Sequence, residues 1–202
     1  VGLFGYTGGA ALRQVGLENV DITGRDYVGG LVGAQYKSRV SQSYVSGSVN
    51  GEYRVGGLVG DSFANSRISQ SYATAAVTGT FEVGGLVGHQ FDGSISQSYA
   101  IGEVQGGVDV GGLVGYLDNG SISQSYASAS VDGNNRVGGL VGTQASGDIS
   151  ESYATGEVRG NNIVGTLIGN SSGTISNSYY LLTDNRTIES TDFGVNTRGG
   201  VR

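Results

Sequence analysis

The sequence predicts an all-β chain wound as one parallel β-solenoid, and three observations lead to that fold class. A V-G-G-L-V-G block recurs, starting at Val28, Val55, Val83, Val110 and Val137, with a V-G-T-L-I-G variant at Val164 and a clipped G-L-F-G at Gly2–Gly5. Successive starts lie 27, 28, 27, 27 and 27 residues apart. Each period also holds three short apolar-centred segments parted by Gly, Asn, Asp and Ser, too short for helices and rich in the strand formers Val, Ile and Tyr. One period cannot bury its apolar face alone, whereas stacked periods share a continuous core and hydrogen-bond between coils.

The first strand of each coil carries the G-L-V-G core. Its leucines (Leu31, Leu58, Leu86, Leu113, Leu140 and Leu167) are expected inside. The adjacent valines, such as Val32 and Val59, would point outward on a regular strand, or else a bulge tucks them in. Glycine columns through Gly29 and Gly33 and their repeats read as corners of positive φ or as close approaches of two walls.

The second strand carries [VI]-S-x-S-Y, beginning at Val40, Ile68, Ile95, Ile122, Ile149 and Ile175. Its serines form two columns. If both face outward, Ser69, Ser71, Ser96, Ser98, Ser123 and Ser125 lie in a double row of hydroxyls and form the candidate ligand or partner face. Packed into a tightly wound wall, they would satisfy one another instead. The residue between them (Gln42, Gln70, Gln97, Gln124, Glu151, Asn177) is expected to turn outward, because a buried glutamate is costly. The tyrosines that follow, Tyr44 to Tyr179, lie four residues past the buried Ile column and are expected in the core.

The third strand is marked by Val49, Val77, Val104, Val131 and Val158. Five residues always separate tyrosine from this valine, and six separate it from the next V-G-G start. Only the connector between the first two strands varies, gaining a residue in Asp61–Arg67 and losing one in Asn170–Thr174. Strand columns held in register with one variable outward loop are what a solenoid requires. The expected architecture is three strands per coil and about seven coils, right-handed by the crossover rule. It covers residues 1–180, with a non-repeating tail over 181–202 that caps or links.

Composition bounds the function. Hydrophobic residues at 37% exceed what a disordered linker holds, and 39 glycines without any proline exclude collagen. A net charge of −6 with no basic stripe argues against nucleic acid. No apolar stretch approaches the roughly 18–20 residues that span a bilayer, so membrane insertion is not expected. Zero cysteines exclude disulfides and thiolate metal sites.

His89 is the only histidine, read as a surface loop residue, so neither a histidine triad nor a multi-histidine metal site can be assembled. Asp92, Asp118 and Asp148 could approach one another in the variable connector, as in a polysaccharide-cleaving β-helix. They sit at different offsets from their leucines, however, and turn chemistry accounts for them. No catalytic residue, cofactor or metal is assigned. Arg54–Glu82 and Asp109–Arg136 are expected as exposed opposite charges on adjacent coils.

The G-L-V-G core followed by I-S-x-S-Y-A and G-x-V-x-G resembles the GLUG repeat. The opening, from Gly2-Leu3-Phe4-Gly5-Tyr6 to Gly24, is similar to the start of such arrays. The resemblance implies an exported bacterial protein: a haemagglutinin-like adhesin, a surface-anchored protein, or the non-catalytic region of an immunoglobulin-A protease. The function expected is therefore an extracellular structural and adhesive rod, a segment of a longer surface protein. Its partners would be a glycan, a host or neighbouring cell surface, or copies of itself stacked end to end. In the last case Gly2, Leu3, Phe4 and Gly5 would form the assembly edge of a fibre subunit.

Overall fold

A computed structural model of the chain describes residues 1–180; the tail 181–202, expected as a cap or linker, lies outside the described residues. Within them every regular element is a β-strand. A representative coil runs through Val32–Tyr36, Arg39–Ser41, Tyr44–Asn50 and Tyr53–Gly56. The next repeats it at Val59–Phe63, Arg67–Ser69, Tyr72–Thr78 and Phe81–Gly84. Pairing between coils is parallel and in register, as in Val32↔Val59, Val40↔Ile68, Val49↔Val77 and Val55↔Val83.

Three sheets result, the first two with seven strands each. The expected third strand is two segments per coil, which fuse into one strand at Tyr126–Gly138 and so belong to a single sheet. The coil has three sheets and four strand segments.

The core divides into two apolar clusters. The larger holds Leu31, Val32, Val40, Val45 and their equivalents, and the smaller holds Val28, Val49, Val55, Val77 and theirs. Leu58 and Val59 are both fully buried. The chain bends at the residues before Val59, so the leucine turns inward and the new strand begins on an inward position. Among the described residues these valines (Val32, Val59, Val87, Val114 and Val141) form no solvent-facing stripe.

The glycine columns mark a close approach of walls, and the positive-φ corners fall elsewhere. A Cβ on Gly56 would lie 2.1 Å from the Val59 carbonyl oxygen and 2.7 Å from the Gly88 nitrogen, so backbone passes against backbone there. Left-handed backbone instead occupies Tyr27, Arg54, Glu82, Asp109, Arg136 and Ile163, with φ from 51° to 57°. It also occupies Gln42, Gln70, Gln97, Gln124, Glu151 and Asn177, with φ from 45° to 51°. Non-glycine residues rarely adopt this region. The parallel ladder holds each corner in place through neighbours of the same shape above and below.

Candidate ligand-binding groove

The Gln42-type corner decides what the second sheet shows to solvent. Along a regular strand, Val40, Gln42 and Tyr44 would share one side. The left-handed residue at Gln42 points outward and resets the alternation by one position. Val40, Ser43 and Val45 therefore point inward, while Ser41, Gln42 and Tyr44 point outward.

This corrects the expected double row of hydroxyls. Ser69, Ser96 and Ser123 lie half-buried on the outer face, but Ser71, Ser98 and Ser125 are 1% exposed and lie inside. Each inner hydroxyl donates to the carbonyl two residues back in its own coil, as Ser71 does to Ser69 at 2.8 Å. It also accepts the backbone N–H of the equivalent serine one coil earlier, as Ser71 does from Ser43 at 3.1 Å. The same bond recurs up to Ser178. The inner column is an internal ladder, and only the outer column can meet a ligand.

The same reset overturns the core placement of the tyrosines. Tyr44, Tyr72, Tyr99, Tyr126 and Tyr153 stand outside and stack, with centroids 5.1, 4.7, 4.8 and 5.0 Å apart and planes within 7° of parallel. Tyr72, Tyr99 and Tyr126 each have a ring stacked on both faces, so these rungs offer solvent only edges and hydroxyls.

Beside the outer serines lies an open groove of about 580 Å³ lined by Arg13, Arg39, Ser41, Gln42, Arg67, Ser69, Gln70, Ser94 and Ser96. Register builds it. Arg39 and Arg67 are partners on adjacent strands, and Arg13 stands opposite Ser41, which stands opposite Ser69. All three arginines are exposed, and among the described residues none is within ion-pair distance of a carboxylate. Reading the sequence by its V-G-G starts missed this cluster. Reading the residue before each [VI]-S pair (Arg39, Arg67, Ser94, Ser121, Asp148) would have exposed Arg39 and Arg67, and the serine column that follows the Val/Ile would have added Arg13.

The other expected polar positions are tied up internally. Arg54 pairs with Glu82 and with Asp61, each at 2.9 Å. Arg136 grips Asp109 with two bonds of 2.6 Å. The pairs form as expected, but Asp61 and Asp109 are only 5% exposed, so these are partly buried networks and not surface pairs. His89 is not a loop residue. It lies in the strand Val87–Phe91 with its Nδ1 2.8 Å from Asp61. Asp118 stands opposite Phe91 and Asp148 opposite Ser121, so the ladder does not set these carboxylates against each other or against Asp92.

Leu3 and Phe4 donate their backbone N–H groups to Gly30 and Leu31 of the next coil. Phe4–Gly8 ends its sheet, and Leu3, Phe4 and Tyr6 are 55%, 36% and 61% exposed. Of the residues expected as an assembly edge, Phe4 and Gly5 lie on the outer strand of the first coil, and Gly2 and Leu3 lie just before it.

Five consecutive segments, residues 24–50, 51–78, 79–105, 106–132 and 133–159, match the family profile described as the GLUG motif. No curated protein matches the chain. Among solved structures, a candidate immunoglobulin A1 protease from Bacteroides ovatus shares the fold, with a TM-score of 0.68 and 22% identity. The match covers 86% of this chain and 66% of that one, so this chain spans just under two thirds of its structural relative.

Proposed function

We propose that this chain, which belongs to the GLUG-motif family, is a structural and adhesive module that works outside the cell, as a rod segment of a bacterial surface protein. The role is mechanical rather than catalytic: the rod sets reach, and its outer faces present contacts. One observation carries the reading. Coil after coil pairs in parallel on three sheets at a spacing of 27 or 28 residues, so length is added by adding coils that keep the same inner columns. A rise of about 4.8 Å per coil gives roughly 35 Å over seven coils.

A second reading, a subunit of an extracellular fibre, is favoured by the exposed Phe4 and Tyr6 on the outer strand of the first coil and by Leu3 just before it. Exposed strand edges of this kind template pairing with another chain. Sedimentation and electron microscopy of the isolated chain across a concentration series separate the two readings. The rod segment predicts single particles about 35 Å long at every concentration. Filaments that lengthen with concentration would replace it with the fibre subunit.

A further inference from the structure

We infer that the groove around Arg13, Arg39 and Arg67 binds an acidic polysaccharide through its carboxylate or sulfate groups. The inference rests on the adhesive reading above and names the ligand class of one of the rod's faces.

The fold does not require these arginines. Arg39 and Arg67 are like charges on adjacent strands, an arrangement that weakens a ladder. The same column continues with Ser94 and Ser121, which keep the strand without any charge. Arg13 occupies the position that is serine in each later coil. Three cations are therefore concentrated in an exposed groove of a chain whose net charge is −6.

The chemistry of the lining selects the ligand. A guanidinium meets a carboxylate or sulfate with two parallel N–H···O bonds. The hydroxyls of Ser41, Ser69 and Ser96 and the amides of Gln42 and Gln70 supply the donors and acceptors that sugar hydroxyls need. Nucleic acid fits less well. Single strands need open aromatic faces on which bases stack, and the rings just around the corner, Tyr44 and Tyr72, cover each other. The far end of the same sheet face carries Asp148 and Glu151, which would repel a polyanion running the whole length. The acidic chain is confined to the first few coils.

The test uses the full 202-residue chain and a variant, Arg13→Ser/Arg39→Ser/Arg67→Ser, in which each arginine takes the residue found in later coils of its column. Binding is measured by calorimetry to polygalacturonate, dextran sulfate, neutral dextran and duplex DNA, with melting curves confirming that the variant folds. The expected result is binding to one or both acidic polymers, weakened by salt, and reduced at least about tenfold in the variant, the loss expected when a charge-assisted contact of about 1.4 kcal/mol disappears. Binding to polygalacturonate alone assigns a carboxylate ligand, and binding to dextran sulfate alone assigns a sulfate ester. Absence of binding to both, equal binding by the variant, or DNA bound as tightly as the acidic polymers would overturn the inference. Retention of protein-coated beads on cells separates the two layers. Unchanged retention by the variant removes the groove and leaves adhesion standing, whereas polymer binding without retention does the reverse.

Discussion

The backbone N–H of Ser71 donates to the Ser98 hydroxyl of the following coil at 3.2 Å, inside the solenoid wall. The Ser98 hydroxyl in turn donates to the Ser96 carbonyl at 2.7 Å. One buried side chain thus satisfies two backbone groups at a corner where the sheet ladder is interrupted. Ser98→Ala leaves the Ser71 N–H unpaired and is expected to cost about 1–3 kcal/mol. Ser96→Ala, on the outer column, should change stability by less than about 0.5 kcal/mol. Urea unfolding of both variants checks the pair, and equal effects would mean that the inner column is not a structural ladder.

The glycine approach predicts an asymmetry between two chemically identical substitutions. A Cβ on Gly84 would stand 2.0 Å from the Val87 oxygen and 2.7 Å from the Gly115 nitrogen, both backbone atoms with nowhere to retreat. Gly84→Ala should destabilise by about 3 kcal/mol, at the upper end of overpacking costs. Gly5, with nothing within 4 Å of its added Cβ, should accept alanine at little cost. Thermal melting of the two variants measures the difference.

Gln90 is fully buried, and neither atom of its amide has a hydrogen-bond partner. One coil later its column holds Leu117, also fully buried. Gln90→Leu therefore removes an unsatisfied polar group and keeps the shape of the wall, and should stabilise by about 1–2 kcal/mol. A lower midpoint in urea would show that the amide is bonded in solution.

The tyrosine ladder makes stability sensitive to alkali. Burial, and then the neighbouring phenols, push Tyr99 and Tyr126 above the ordinary tyrosine range. The hydrogen bond to Glu18 does the same for Tyr44. The folded chain holds protons that the unfolded chain has released, so this stabilisation is complete below about pH 10 and declines as pH rises through the folded values. The melting temperature should fall across that window, and Tyr99→Phe should shallow the fall. A melting temperature that is flat or rising there would contradict the ladder.

Much of this was legible in the sequence, and the failures share one cause. The period, the Leu and Ile columns and the Arg54–Glu82 and Asp109–Arg136 pairings follow from which residues stand 27 or 28 apart, because a parallel solenoid places equals beside equals. Which side a residue faces depends on corners. The outward turn at Gln42 could be read from the Glu151 in its column, since a carboxylate resists burial. Its consequence, a one-residue reset that sends Tyr44 outside and Ser43 inside, was not visible because Gln42 carries no mark of left-handed backbone. The glycines drew attention as corners, while the actual corner at Arg54 is held by the ladder. The arginine cluster escaped because its column turns to serine at Ser94 and so does not repeat.

Retention on cells tests the adhesive rod most directly. Inert beads coated with the folded chain are passed over bacterial or epithelial cell layers under flow, beside beads carrying an unrelated protein of equal charge and beads carrying the heat-unfolded chain. The account predicts that only the folded chain holds beads on the surface. Retention no greater than that of the unrelated protein, on every cell layer, would contradict it.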